Sequence, residues 1–339
     1  MKSRFLVALL LVALVLTALT GCSEKAPQPP AQTQDPVDTW PNKPITIVVP
    51  FTAGGSADRF ARAWAPFLQE ELGVPVLVEN RDGAAGLIGA NYFMRAKADG
   101  YTLFLGTQPY LSSNILLQAA GFTLDDWAII NVVQNDPISL LVNLNSPYQT
   151  LGDLIEDIKA KPGQLRWGTI FGGAPYLGGL ALFDALDLDI REVTYDGGAG
   201  YRAAVLGGQV EFVNGTAAGD LALVGQVRAL TVYSDERTAM WPEAVPINEA
   251  LSDYGVTIPA LGAQRYVAAH ASFREEYPER WEKLVGAMEK AFKSEGHTQV
   301  LVDQKQIDVS GWYGPEKSTE MVHTFHALME TYQDQLSGN

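Results

Sequence analysis

From residue 40 onward, apolar residues alternate between two rhythms: short β-branched runs and stretches at helical spacing. Ile45-Thr46-Ile47-Val48-Val49 is nearly all apolar, the pattern of a parallel strand covered on both faces. Phe60, Trp64, Phe67, Leu68 and Leu72 then fall on one helical face. Pro66 lies inside that run and predicts a kink or a split, because proline has no amide to donate. A strand follows over 74–78, a helix over 84–96 and a strand over 101–105. Strand, helix, strand, helix at this spacing is a right-handed parallel α/β unit.

The rhythm restarts after Pro147. It predicts helices over 151–160, 177–186 and 201–206, with strands over 165–168, 192–195, 210–214 and 228–233. Two longer helices are predicted near the end, over 273–294 and 315–336. Two α/β lobes whose final helices return to the first imply a chain that crosses between lobes more than once. No internal repeat stands out.

The N-terminal stretch has a different pattern. Lys2 and Arg4 precede fifteen residues, 5–19, in which only Thr17 is polar. That is too short for a comfortable membrane span and fits the apolar part of a secretory leader. Leu19-Thr20-Gly21-Cys22 resembles the lipobox of bacterial lipoproteins, which implies a signal peptide over 1–21 and a lipid on Cys22. Residues 23–39 carry Pro27, Pro29, Pro30 and Pro36 among polar neighbours, too little apolar surface to order themselves. They read as a semi-extended tether reaching on the order of 50 Å. The folded body is then expected outside the cytoplasm, anchored to a membrane by lipid and standing off it. No later segment is apolar enough to span.

Composition narrows the function. The chain has 339 residues, 24 Lys or Arg against 39 Asp or Glu, and a net charge of −15. Loss of a leader carrying Lys2 and Arg4 makes this −17. Such a balance argues against nucleic-acid binding. A hydrophobic fraction of 47% belongs to a folded chain, and the length suits two lobes better than one core. A single cysteine excludes internal disulfides and cysteine-rich zinc sites. His323 and His326 are three apart on a predicted helix without a clear third ligand, so a solvated face is expected, not a metal site. No nucleophile–base or paired-carboxylate pattern marks an enzyme.

The chemistry concentrates in Pro50-Phe51-Thr52-Ala53-Gly54-Gly55-Ser56-Ala57-Asp58, which joins the first strand to the first helix. Paired glycines expose backbone amides where a helix dipole attracts an anion. The dinucleotide and P-loop patterns are absent. This segment, with Trp40-Pro41-Asn42-Lys43-Pro44 before it, resembles the opening of the substrate-binding receptors of tripartite tricarboxylate transporters, also called Bug receptors. Val78-Glu79-Asn80-Arg81-Asp82-Gly83, Ala98-Asp99-Gly100-Tyr101-Thr102 and Leu206-Gly207-Gly208-Gln209-Val210 continue the resemblance in order.

The resemblance implies an α/β, two-lobed type II periplasmic-binding-protein fold, each lobe a mixed sheet flanked by helices, with a ligand cleft between them. It places lobe one at 40–143 plus 266–339 and lobe two at 144–265. It implies a receptor that hands a small organic carboxylate to membrane permease subunits, with no cofactor, acting as a monomer. A carboxylate sensor for signalling and a secreted carboxylate enzyme are the alternatives. By comparison with relatives, Phe51, Thr52, Ala53, Gly54 and Gly55 would hold one ligand carboxylate through their amides, and Thr107 would touch the ligand. Asp58 would complement the helix dipole. The second family loop departs from its relatives: Thr169-Ile170-Phe171-Gly172-Gly173-Ala174-Pro175-Tyr176 lacks most of their hydroxyls and their histidine. Gly172, Gly173 and Ala174 keep amides available, and Tyr176 is the polar reach that remains. A flatter, more apolar pocket follows, favouring a dicarboxylate or an aromatic carboxylate over citrate. Tyr195 is a candidate pocket wall, and Arg265 a candidate bidentate partner for a second carboxylate or for an inter-lobe salt bridge. Asp196 replaces a common lysine and is expected to be solvated.

Overall fold

A computed structural model describes residues 39–195 and 198–337. The expected leader, Cys22 and the tether up to residue 38 lie outside the described residues, as does Asp196.

The first lobe grows from the apolar runs. Strand β1 (Ile45–Val49) is buried except for Thr46. Helix α1 (Ser56–Leu72) turns Phe60, Trp64, Leu68 and Leu72 inward. It ends at Gly73, whose left-handed φ of 71° lets its amide close on the Gln69 carbonyl. Pro66 does not split this helix. It sits on the exposed face, where water can satisfy the carbonyl that its missing amide leaves free. Strand β2 (Val76–Asn80), a single 3₁₀ turn with α2 (Leu87–Met94), and β3 (Thr102–Thr107) complete the unit. β1 lies between β2 and β3, parallel to both.

After α3 (Tyr110–Leu117), one strand of 17 residues, β4 (Trp127–Asn143), runs out of the first lobe and into the second. The apolar pattern does not announce it, because Gln134-Asn135-Asp136 interrupts the run at its centre. Helix α4 (Leu151–Ala160) starts at a reciprocal cap: Thr150 Oγ1 accepts the Asp153 amide at 3.1 Å, and Asp153 accepts the Thr150 amide at 2.9 Å. Then come β5 (Arg166–Thr169), α5 (Ala174–Leu186), β6 (Arg191–Thr194), α6 (Gly198–Leu206), β7 (Phe212–Thr216), β8 (Val227–Val232) and the short β9 (Val245–Pro246). β5 lies between β6 and β7, parallel to both, while β4 pairs antiparallel with β7 and β8.

The chain returns through β10 (Gly262–His270), which pairs with β4 from Pro137 to Trp127 and with β3. The helix predicted over 273–294 is divided at Pro278 into α7 (Ala271–Glu276) and α8 (Pro278–Lys293), proline being welcome only in a first turn. α9 (Glu295–Asp303) leads to α10 (Gly314–Thr331) and α11 (Gln333–Ser337).

Each half of the sheet is covered on both faces. In the first, Trp64, Leu284 and Phe292 pack on one side, and Phe93, Trp127 and Tyr266 on the other. In the second, Trp167, Leu177 and Phe183 oppose Tyr201, Val213 and Trp241. Helix α10 joins both halves: Val322 packs in the first lobe, Phe325 and Met329 in the second.

Candidate functional site

The carboxyl ends of β1, β3, β5 and β7 all meet one cleft of about 850 Å³, the place where open α/β sheets receive ligands. Phe51, Ser56 and Ala57 line it from the first lobe, and Gly173, Ala174 and Arg202 from the second. The crossover strands β4 and β10 contribute Gln134, Asp136, Gln264 and Arg265. Helices α1 and α5 begin after Gly55 and Gly173, neither of which provides a side-chain cap. Ser56, Ala57 and Ala174, the first residues of these helices, line the cleft, so it meets helix starts whose amides have no side-chain cap and which carry the positive end of each helix dipole.

Arg265 sits opposite Thr107 in the pairing of β10 with β3. Its Nη2 donates to Ser56 Oγ at 3.0 Å, while its Nε is buried with no acceptor. Thr107 Oγ1 and Gln264 Oε1 are buried and unpartnered as well. Burial lowers the Arg265 pKa to about 10, with Arg59 nearby adding to the effect. No acidic side chain pairs with it among the described residues. A buried donor left unmade costs on the order of 1–3 kcal/mol, so orphaned groups side by side in a cleft wall mark a place built for a guest.

The opposite wall is charged and largely self-paired, although Asp220 Oδ2 is buried without a partner. Arg202 Nε donates to Asp220 Oδ1 at 2.7 Å and Nη2 to the Gly219 carbonyl at 2.8 Å. Asp220 is fully buried and also accepts from Tyr201 Oη at 2.7 Å. Asp136 accepts the amides of Ala218 at 2.8 Å and Gly219 at 3.3 Å. Burial raises its pKa more than those amides lower it, and Asp220 adds to the rise. Lys305 lines the mouth of the cleft and pairs with no acid among the described residues. Set against Asp136, the unpaired cations Arg265 and Lys305 give the cleft a local sign opposite to that of the whole chain.

Of the residues singled out in the sequence, Phe51, Thr107, Gly173, Ala174 and Arg265 line this cleft. Thr52, Ala53 and Gly54 arch outward and are exposed. The Gly54 amide donates to Asp58 Oδ2 at 2.8 Å and the Gly55 amide to the Thr52 carbonyl at 3.1 Å, so neither points at the cleft. Gly172 stands just outside the wall, its φ of 72° turning the chain into α5. Tyr176 lies in the second-lobe core, because its ring stacks on Trp167 at 5.5 Å and its hydroxyl donates to Glu192 at 3.2 Å. Burial, with Glu192 alongside, pushes that hydroxyl up to about 12. Tyr195 packs against the other core of that lobe. Sequence reasoning missed Ser56, Asp136, Arg202 and Lys305. Only Ser56 had a local signal, its place at the start of a helix.

The described residues hold no group of three or more metal-ligating side chains and no helix long and apolar enough to cross a membrane. Residues 60–322 match the family described as the tripartite tricarboxylate transporter family receptor. The protein BugT of Bordetella pertussis is 33% identical over 242 residues, 68% of this chain and 70% of that one. A TctC solute-binding protein from Polaromonas superposes with a TM-score of 0.77 at 23% identity, covering 86% of this chain and 100% of that one. R. palustris Rpa4515, solved with adipate, superposes with a TM-score of 0.62 at 26% identity, covering 88% and 98%.

Proposed function

The chain belongs to the tripartite tricarboxylate transporter receptor family, and we propose that it captures a small organic carboxylate in its inter-lobe cleft for delivery to membrane permease subunits. The observation that carries this is Arg265, a partly buried guanidinium with an unmet Nε beside the orphaned Thr107 hydroxyl and the amino end of α1. A carboxylate placed there accepts from Arg265, from Thr107 and from the Ser56 and Ala57 amides together. Lobe two offers the amino end of α5 for a second carboxylate, with Lys305 of lobe one lining the cleft as well. Asp136 opposes a third negative charge, which favours a dicarboxylate or an aromatic monocarboxylate over citrate. Adipate bound to Rpa4515 supports a linear dicarboxylate as the first ligand to try.

The same reading makes the protein an extracytoplasmic receptor, not an enzyme, working as a monomer. Residues 1–21 would be its lipoprotein leader, Cys22 its lipid anchor and 22–39 its tether, with 40–143 plus 266–339 forming most of lobe one and 144–265 most of lobe two, β4 and α10 being shared between them. A thermal-shift panel of adipate, benzoate and citrate tests it. At roughly 100 Kd a ligand stabilises the fold by about 2.7 kcal/mol. Adipate or benzoate is expected to raise Tm by several degrees and citrate not to; no shift with any carboxylate overturns the proposal.

A further inference from the structure

Phe51 packs against Tyr110 and the first-lobe core, but past it the first loop has almost nothing apolar to hold it. Thr52, Ala53 and Gly54 are exposed, and Gly54 adopts a φ of 79°. Its shape is nevertheless fixed at both ends by one chain of hydrogen bonds. Asn80 Nδ2 donates to the Phe51 carbonyl at 3.0 Å. Arg62 Nη2 donates to Asn80 Oδ1 and Arg62 Nε to Asp58 Oδ1, each at 2.9 Å. Asp58 Oδ2 accepts the Gly54 amide at 2.8 Å. The ring closes through the loop backbone itself, from Phe51 to Gly54.

Rigid elements set every anchor of this ring. Asn80 ends β2 and is register-paired with Val49 of β1. Asp58 and Arg62 are four apart on α1, the spacing that puts them on one face. The loop is strung between a strand end and a helix face, neither of which can shift alone. We propose that Asp58, Arg62 and Asn80 are positioning residues that fix the first loop so that Phe51 and the Ser56 and Ala57 amides present to ligand, an inference that rests on the cleft being the carboxylate site.

The ring also resolves a conflict of charge. Asp58 stands in the first turn of a helix whose amino end must receive an anion, and a bare carboxylate there would repel it. Its two oxygens are instead turned to the Gly54 amide and the Arg62 guanidinium. Burial would raise its pKa, but the Gly54 amide, Asn80 and Arg62 together bring it below the usual carboxylate range. Arginine is required at the hub because one guanidinium fork serves two acceptors at once, which an ammonium on a flexible stem does less well.

Two measurements test the ring, and the first needs no ligand. Amide hydrogen exchange is read in the apo protein for the wild type and Asn80→Ala. The Gly54 amide should be protected in the wild type and exchange at least roughly tenfold faster in Asn80→Ala, although Asn80 does not touch it. Gly54 exchange that is unprotected, or unchanged by the substitution, overturns the inference whatever binds in the cleft. The second measurement is an adipate titration of the wild type, Asn80→Ala, Asp58→Asn and Leu284→Ala, the last a buried core position away from the cleft. Asn80→Ala should raise Kd roughly tenfold by adding loop-ordering cost to binding. Asp58→Asn, which keeps an acceptor for the Gly54 amide, should raise it less. Leu284→Ala should lower Tm at unchanged Kd. Equal loss of affinity in Leu284→Ala and Asn80→Ala overturns positioning in favour of general destabilisation. A wild type that ignores adipate and every other carboxylate counts against the cleft reading, and the exchange result still decides the ring.

Discussion

At the scale of single residues, the site is held ready at a cost to the empty fold. Arg265 keeps a cation partly buried without an acid, and burial already pulls its pKa down to about 10. Arg265→Gln removes that burden. We expect apo Tm to stay level or rise while carboxylate affinity falls at least about a hundredfold, the scale of truncating one partner of a desolvated ion pair. Calorimetric titration and apo melting on the same sample check both halves; a variant that melts lower and still binds would make Arg265 a structural residue. His297 shows the same logic without function. Its Nδ1 lies 2.8 Å from the Phe292 carbonyl, to which it donates, and Nε2 is buried without a partner among Phe60, Trp64, Phe67 and Phe292. Burial lowers its pKa, and His270 and His326 are lowered by burial too. A base depressed in the fold takes its proton more readily once unfolded. Stability is then complete above the ordinary histidine pKa of about 6.5 and falls as pH drops through and below it. Tm should decline from pH 7.5 to 5.5, and less steeply in His297→Gln; parallel profiles for the two proteins would rule His297 out as a source.

Between elements, close approach decides the packing. Gly178 and Gly179 on α5 let that helix lie against the second half-sheet, and a methyl group on Gly179 would run into the Trp167 ring. Trp167 cannot retreat, because it also stacks on Tyr176 and donates from Nε1 to Asn214 Oδ1 at 3.1 Å. Gly179→Ala should therefore destabilise by about 1–3 kcal/mol despite alanine's better helix propensity, read as a lower urea midpoint; a gain in stability would mean the interface yields. Such contacts also show what the chain pattern can and cannot reveal. β1 is legible because it is an apolar run buried on both faces, and α1 because it buries one regular apolar face. β4 is not, since the residues that break its apolar run, Gln134 and Asp136, are the ones that line the cleft. Tyr176 read as a polar reach, yet it lies on the same face of α5 as Phe183, and both rings pack on Trp167 in the core. The amides of Gly54 and Gly55 looked available because spacing does not show the Asp58 carboxylate folding back to take one of them. Arg202 and Asp136 come from α6 and β4, and only the fold brings them into one wall.

Across the whole molecule, an acidic protein binding an anion makes a prediction with a sign. A net charge of −15 repels a carboxylate as it approaches, whereas Arg265, Lys305 and the helix ends attract it only inside the cleft. Salt screens the first effect more than the second, because the Debye length shrinks from about 10 Å at 0.1 M to about 3 Å at 1 M and partly buried contacts are screened less. The association rate for adipate should thus rise as NaCl increases from low to moderate concentration, while the dissociation rate changes little and Kd shifts by no more than about threefold. A receptor steered by a basic patch would show the reverse, with association slowing as salt is added. Stopped-flow tryptophan fluorescence gives both rates directly. An association rate that falls with salt would mean that the cleft's own cations govern approach, and that the surface acids lie too far from its mouth to matter.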